Sequence, residues 1–228
     1  PNFRTSPNLD FITYLNTGKG FIPSYVWATP AFNNLLPADW NADGMIDFIA
    51  LGASYLADIY LAKGAPSDLL TSITTSSGVI YSATYKSSAQ YKDMNGNLLN
   101  PKLPMVVQTV NTMTETDPAT GQVNTHTYTY KDGTYYFDPD QPTDRKFAGF
   151  GTVVDSTSTK TVTTYYHTGS GVGSAPGLYK DSRAKIGRAY REDIADLNGA
   201  IMKTTYTKWD GANTRFGGTH VRPISVLA

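Results

Sequence analysis

Apolar and polar residues alternate along the chain from about residue 69 onward. Residues 79–85 read VIYSATY and residues 123–130 read VNTHTYTY. Successive side chains of a strand point to opposite faces of a sheet, so this period of two predicts long strands with one packed face and one face of Thr, Ser and Lys. Residues 178–185 are the only stretch that could hold a short helix.

Three dipeptides in the same region are typical of tight turns. Asn95-Gly96, Asp132-Gly133 and Asn198-Gly199 all tolerate the positive φ angles that such turns require. The last of them predicts a hairpin between residues 189–195 and 201–209. A second hairpin is predicted between residues 152–154 and 161–166.

The first 65 residues have a different pattern, with shorter apolar runs that end at glycine. Residues 10–21 (DFITYLNTGKGF) and residues 58–64 (DIYLAKG) each read as a strand followed by a glycine turn, and residues 47–52 (DFIALG) form a further short run. This echo predicts a repeated unit of loop, strand, turn and strand. We therefore expect an all-β protein with two domains, residues 1–65 and residues 66–228.

Composition narrows the possible functions. The 228 residues include 19 basic and 19 acidic side chains, so the chain lacks the positive charge that a nucleic-acid-binding protein needs. Cysteine is absent, which excludes disulfides and thiolate metal sites. The longest apolar runs are far shorter than the roughly 20 residues of a membrane-spanning helix. Because the chain opens at Pro1 and closes on an apolar run at 224–228, we expect it to be a fragment of a larger protein.

One loop carries a pattern of metal ligands. Side-chain oxygens occur at positions 1, 3, 5 and 9 of residues 39–47, and a glycine occurs at position 6. Ca²⁺ prefers six to eight oxygen ligands, and this spacing lets a tight loop wrap them around one ion, with position 7 contributing a backbone carbonyl. The sequence therefore predicts one Ca²⁺ site, whose ligands are Asp39, Asn41, Asp43, Met45 and Asp47.

This loop has two alternative interpretations. An EF-hand requires Glu at position 12, but that position is Ala50 within a strand-like run, so an EF-hand is rejected. The second alternative is a turn rich in Asp and Asn that holds no metal, since Asp, Asn and Gly are also the commonest turn residues. That alternative stays open at this point.

The remaining residues give no catalytic signature. The chain has no Gly-x-Ser-x-Gly motif and no cysteine nucleophile, and His126, His167 and His220 lack the short spacing of a zinc pair. We therefore predict that the protein is not an enzyme. The many tyrosines, together with Trp27, Trp40 and Trp209, are better explained by cross-strand packing than by a sugar-binding surface.

Two stretches of the first domain resemble the FG-GAP or VCBS repeats of integrin-like β-propellers. They are residues 15–21 (LNTGKGF) and residues 39–48 (DWNADGMIDF). Loops of this form bind Ca²⁺ in that family, and the five predicted ligands fall on its ligand positions. The resemblance implies a propeller-like FG-GAP/VCBS unit with a calcium loop.

The rest of the chain resembles the middle region of the B component of insecticidal toxin complexes and related RHS-repeat proteins. The similar segments follow one another in the family's order: residues 68–74, 83–88, 103–107, 128–130, 145–151 and 185–192. The resemblance implies that residues 66–228 form long antiparallel strands of an RHS-type β-shell.

In that family the region builds part of a hollow β-sheet cocoon around a separate toxic polypeptide and is not itself an enzyme. The resemblance implies a non-catalytic structural segment of a large bacterial protein that is secreted or lies on the cell surface. Its implied partners are the rest of its own polypeptide and an encapsulated toxin or a toxin-complex subunit. The alternative is a Ca²⁺-dependent adhesion module that binds a glycan or a protein through exposed Tyr and Trp side chains.

Overall fold

The computed structural model describes residues 10–28, 32–52, 57–64, 68–170, 175–212 and 220–227. These residues form antiparallel strands joined by turns and two one-turn 3-10 helices, Ser88–Gln90 and Arg183–Lys185. The predicted all-β class is therefore confirmed, and no helix in the described ranges has the length and apolar character needed to cross a bilayer. The chain divides into two compact units, Pro1–Ser67 and Asp68–Ala228.

The first unit contains two small antiparallel sheets. Strands β1 (Asp10–Asn16) and β2 (Phe21–Ala28) form a hairpin, whose turn includes Gly18 at a φ of 77°. Strands β3 (Phe32–Ala38), β4 (Asp47–Gly52) and β5 (Ala57–Tyr60) form a three-stranded sheet in chain order. A propeller-like arrangement of the FG-GAP or VCBS type stays a prediction.

The second unit is built on one antiparallel sheet of nine strands. Each strand pairs with the next one along the chain, so the order across the sheet is the order in the sequence. The strands are β6 (Ser72–Thr74), β7 (Ile80–Ser87), β8 (Gln108–Asp117), β9 (Gln122–Phe137), β10 (Arg145–Ser156), β11 (Thr161–Tyr166), β12 (Ala189–Ala195), β13 (Ile201–Ala212) and β14 (His220–Leu227). The predicted hairpins β10–β11 and β12–β13 are confirmed, the second with its turn at Asn198-Gly199.

The prediction of a turn at Asp132-Gly133 is wrong. Both residues lie inside β9, where Asp132 has a φ of 57° and the pairing with β10 shifts register between Phe147 and Phe150. The strand bulges at this point instead of reversing. Gly133 is buried, and a Cβ there would lie 3.1 Å from Leu103 Cδ2 and 3.2 Å from Phe150 Cδ1. Close packing, not a reversal of the chain, therefore requires the glycine.

The helix considered for residues 178–185 is reduced to the single 3-10 turn Arg183–Lys185.

Aromatic rings form the packed centre of the nine-stranded sheet. Tyr130 contacts Tyr91 at a centroid distance of 5.8 Å and Phe150 at 4.9 Å, and Phe150 contacts Phe147 at 5.5 Å. Burial and neighbouring charges raise the pKa of Tyr130 to about 12. The prediction that the strand tyrosines pack across strands is therefore confirmed for Tyr130.

Candidate functional site

The acidic loop at residues 39–47 connects β3 to β4. Ala38 pairs with Asp47 across these strands, so the two ends of the loop are held together by the sheet. The Asp39 side chain stabilises the loop through two hydrogen bonds. Its Oδ1 accepts one from Asp43 N at 3.0 Å and its Oδ2 accepts one from Gly44 N at 2.8 Å. Gly44 has a φ of 87°, in the left-handed region that favours glycine.

Two Asx turns follow within the same loop. Asn41 Oδ1 accepts a hydrogen bond from Asp43 N at 3.0 Å, and Asp43 Oδ1 accepts one from Met45 N at 2.8 Å. Asn41 Nδ2 also donates to Asp43 Oδ2 at 2.8 Å. Asp and Asn side chains that bond the backbone two residues onward stabilise turns without any metal. The side-chain oxygens of the loop therefore already accept hydrogen bonds from the backbone N–H groups of Asp43, Gly44 and Met45.

Asp47 is fully buried at the start of β4. Its Oδ1 accepts a hydrogen bond from Ala62 N and its Oδ2 accepts one from Trp40 N, both at 2.8 Å. The bond from Ala62 lowers the pKa of the Asp47 carboxyl, and burial acts in the opposite direction. This carboxylate ties the acidic loop to the segment that follows β5.

The chemistry of the five predicted ligands suits Ca²⁺, since carboxylate and amide oxygens are the donors that hard cations prefer. Asp39 and Asn41 both accept a hydrogen bond from Asp43 N, so these three residues lie together. The Asp47 carboxylate instead accepts hydrogen bonds from Trp40 N and Ala62 N. Within the described ranges, no group of three or more His, Cys, Asp or Glu side chains is gathered as a metal site. Ca²⁺ binding and the role of the Met45 carbonyl stay predictions.

A second polar cluster, which no sequence motif predicts, surrounds the buried pair His167 and Asp181. Their side chains are 1% and 3% exposed, and His167 Nδ1 lies 3.1 Å from Asp181 Oδ1. Asp181 also accepts hydrogen bonds from Gly169 N at 2.9 Å, Ser170 N at 3.0 Å and Ser170 Oγ at 2.9 Å. Burial acts to raise the pKa of Asp181, but these hydrogen bonds outweigh it and lower the pKa to about 2.

The order of contacts in this cluster differs from that of a nucleophilic triad. In a triad the histidine lies between the serine and the carboxylate and takes the proton of the serine hydroxyl. Here Asp181 lies between Ser170 and His167, and the hydroxyl is bonded to the carboxylate. The geometry instead suits a structural role for Asp181, whose hydrogen bonds hold residues 167–170 in place. Asp181 lies fourteen positions after His167 in the chain, so no local motif predicts the pair.

The second described histidine, His126, lies on the surface of the sheet. Its Nδ1 is 2.9 Å and 3.0 Å from the two carboxylate oxygens of Asp155 on the next strand. The side chain of His220 lies outside the part of the chain whose side chains are described.

Comparison with known proteins assigns the family. No curated protein matches the chain. A family model described as the insecticide toxin TcdB middle/N-terminal region matches residues 14–172. This range includes the acidic loop and the strands from β6 to β11, and it covers more than half of the chain. The chain therefore belongs to the family of the insecticide toxin TcdB middle/N-terminal region.

Proposed function

We propose that the chain is a non-catalytic structural segment of a large bacterial protein of the toxin-complex type, secreted or displayed on the cell surface. In this proposal the second unit forms part of an RHS-type β-sheet shell that encloses another polypeptide. The first unit is an FG-GAP/VCBS-like repeat. The partners are the rest of the parent polypeptide and the polypeptide inside the shell.

The observation that carries this proposal is the nine-stranded sheet in a chain of the TcdB family. Its strands follow one another in chain order, as in a wall that is extended one strand at a time. Among the described residues of the second unit, the buried apolar side chains are Tyr91, Ala148, Phe150 and Tyr190. A sheet of this width with so small a core supports a role based on shape and surface.

Ca²⁺ at the acidic loop is part of the same proposal. The ion would neutralise the carboxylates of Asp39, Asp43 and Asp47 and fix a loop whose hydrogen bonds already close it. The five predicted ligands all lie in the first unit, so the expected stabilisation by Ca²⁺ is confined to that unit.

Limited proteolysis of the parent protein tests the enclosure. The parent is purified together with its partner polypeptide and treated with a nonspecific protease, with free partner polypeptide as the control. We expect the partner to survive in the complex under conditions that degrade the free form completely. Equal degradation rates would refute the enclosure.

The Ca²⁺-dependent adhesion module remains as a second candidate because of one observation. Trp40, within the acidic loop, is 48% exposed, and its backbone N–H is bonded to Asp47. An exposed indole beside a cation site suits contact with a sugar ring. Binding to a glycan array that is abolished both by chelator and by Trp40→Ala would favour this candidate over the shell.

A further inference from the structure

The connection between β11 and β12 is the longest in the nine-stranded sheet. It spans residues 167–188, whereas the turns after β8, β10 and β12 span residues 118–121, 157–160 and 196–200. Two neighbouring antiparallel strands need only a short turn. A connection of this length therefore points to a role beyond joining two strands.

The connection is held tightly against the sheet. At its two ends, His167 N donates a hydrogen bond to Arg188 O and His167 O accepts one from Gly187 N, both at 2.9 Å. A Cβ at Gly177 would overlap Tyr206 Cδ1 of β13, so only glycine permits this close approach. The side chains of the connection are therefore presented from a fixed backbone.

Three lysine ammonium groups surround the ring of Tyr179, which lies in this connection. The Nζ atoms of Lys208, Lys185 and Lys180 lie 4.3, 5.2 and 5.5 Å from the centroid of the ring. Lys208 comes from β13 and the other two from the connection. The negative face of an aromatic ring attracts cations, so Tyr179 holds these like charges close together. We call these four residues the lysine cluster.

The members of the lysine cluster differ in their exposure. Lys185 is buried, and its Nζ donates a hydrogen bond to Tyr179 O at 2.6 Å. Lys180 and Lys208 are exposed, and Tyr179 is 44% exposed. From their distances to the ring, the Nζ atoms of Lys180 and Lys208 lie within roughly 10 Å of each other, which is about one Debye length at 0.1 M salt. The two exposed charges therefore act together on an approaching anion.

No carboxylate within the described ranges neutralises these two exposed lysines. None of the four ion pairs in those ranges includes Lys180 or Lys208. Asp181, the acidic residue next to Lys180, is buried, and its carboxylate is bonded to residues 167–170. Residues 178–188 hold four basic side chains and one acidic side chain, a net charge of +3, although the whole chain has a net charge of zero. Positive charge is thus concentrated in this connection.

The number and spacing of the exposed charges indicate what the lysine cluster binds. A nucleic acid is held by many phosphate contacts along a continuous basic surface, and two exposed lysines are too few for this. In an extended polypeptide, alternate side chains lie on the same side about 7 Å apart. Two acidic side chains of such a segment therefore match two ammonium groups that lie within roughly 10 Å of each other.

The same charges indicate that the acidic segment belongs to a separate subunit. Segments of one chain that pack permanently together bury mainly apolar side chains, and lysine is rarely buried without a partner. Between separately folded proteins, by contrast, complementary charges steer association and add specificity. Exposed ammonium groups on a firmly held connection suit the second kind of contact.

We propose that the lysine cluster docks an acidic segment of another subunit of the toxin complex, whose alternate Asp or Glu side chains pair with Lys180 and Lys208. This inference rests on the proposed function, because it requires a parent protein that assembles into such a complex. Tyr179 and Lys185 are positioning residues. The ring of Tyr179 holds the two exposed ammonium groups, and the hydrogen bond from Lys185 holds the backbone at Tyr179.

A synthetic peptide tests the charge and spacing of the lysine cluster. A fluorescein-labelled peptide of alternating Glu and Thr is titrated into the full parent protein and followed by fluorescence anisotropy, with Gln in place of Glu in the control peptide. We expect the Glu peptide to bind, more weakly as sodium chloride is added, and the Gln peptide not to bind. Equal binding of both peptides, or tighter binding of single-stranded DNA than of the Glu peptide, would overturn the proposal.

Substitutions in the parent protein identify the residues that bind the peptide. Lys180→Gln with Lys208→Gln should weaken binding of the Glu peptide roughly threefold or more. Lys160→Gln with Lys203→Gln removes the same charge from two exposed lysines elsewhere on the sheet and should leave binding unchanged. Tyr179→Leu retains every charge but should also weaken binding, whereas Tyr179→Phe should not. Equal affinity of the two double variants would overturn the assignment.

Acetylation of lysines identifies what covers the lysine cluster. Reaction rates are measured by mass spectrometry in the parent protein alone and in the assembled complex. We expect Lys180 and Lys208 to react several-fold more slowly in the complex, and Lys160 to react equally in both. Unchanged rates would overturn the docking surface. Rates that are already slow in the parent alone would overturn it as well, by assigning the acidic segment to the parent itself.

The outcomes separate the inference from the function on which it rests. A parent protein that assembles with no other subunit would overturn the proposed function. A complex that forms while Lys180 and Lys208 stay as reactive as in the parent alone would overturn only the lysine cluster as its docking surface.

Discussion

Replacing Asp181 with asparagine removes a buried anchor with a predictable cost. The carboxylate accepts four hydrogen bonds, two at each oxygen: His167 and Gly169 at Oδ1, and the backbone and side chain of Ser170 at Oδ2. A carboxylate only accepts, so Nδ1 of His167 donates. In either orientation, the amide of Asp181→Asn turns an NH₂ group towards two of these donors.

The magnitude follows from the hydrogen bonds that the amide cannot accept. A hydrogen bond to a charged group contributes about 1.5–3 kcal/mol, and two such bonds are broken, so we expect the free energy of unfolding to fall by about 3–6 kcal/mol. This is a large fraction of the about 5–15 kcal/mol that stabilises an ordinary domain. The variant should therefore unfold at a much lower urea concentration.

Urea unfolding followed by circular dichroism measures the change. Asp140→Asn is the control, because Asp140 is exposed in the turn after β9, and its effect should stay within about 0.5 kcal/mol. A decrease below about 1 kcal/mol for Asp181→Asn would refute the reasoning, since the carboxylate would then not be holding residues 167–170.

The same carboxylate also makes the fold sensitive to acid. Its pKa is lowered from 3.8 to about 2 in the folded protein, so its contribution is present above pH 3.8 and is lost as the pH falls through 2. The difference corresponds to about 2 kcal/mol. Asp181→Asn should remove this component of the acid transition, whereas Asp140→Asn should retain it.

Three further predictions concern other parts of the chain. Thermal melts with Ca²⁺ and with chelator should show a higher melting temperature for the first unit with Ca²⁺, and Asp43→Asn should reduce the difference; identical melts would refute the site. Gly133→Val should lower the free energy of unfolding by about 1–3 kcal/mol in urea, because its Cβ would lie 3.1 Å from Leu103 Cδ2 and must displace it; an unchanged midpoint would contradict this packing. The pKa of Tyr130 is raised from 10.0 to about 12, so the stability that it contributes is full below pH 10 and is lost as the pH rises through 12. Ultraviolet titration should show an ionisation near pH 12 that Tyr130→Phe removes; ionisation of all tyrosines near pH 10 would exclude the half-buried environment of Tyr130.

The hairpins were predictable from sequence because their signals are local. The alternating residues of β10 to β13 and the Asn198-Gly199 turn each lie within a few residues of the structure that they specify. The spacing of the acidic loop likewise located a compact loop between two paired strands. In each case the partner groups are close along the chain.

The features that sequence patterns did not predict depend on distant residues. Asp132-Gly133 has the composition of a turn, but Asn100 Oδ1 accepts a hydrogen bond from Gly133 N at 2.8 Å and Leu99 O accepts one from Asp132 N at 3.0 Å. These hydrogen bonds to a segment more than thirty residues away keep the chain extended there. The environment of Asp181 is set in the same way by the path of residues 167–170. A local pattern carries no information about either interaction.

The succession of strands in the second unit has a consequence for how the protein is made. Each strand from β7 to β14 pairs with the strand just before it in the sequence, which has already been synthesised. Only the segment that connects the two strands has to form a closed loop. The sheet can accordingly grow during translation or export by adding one strand at a time to its newest edge. Contacts between neighbours in sequence form quickly, so each step of such growth creates only one new unpaired edge, at the strand added last.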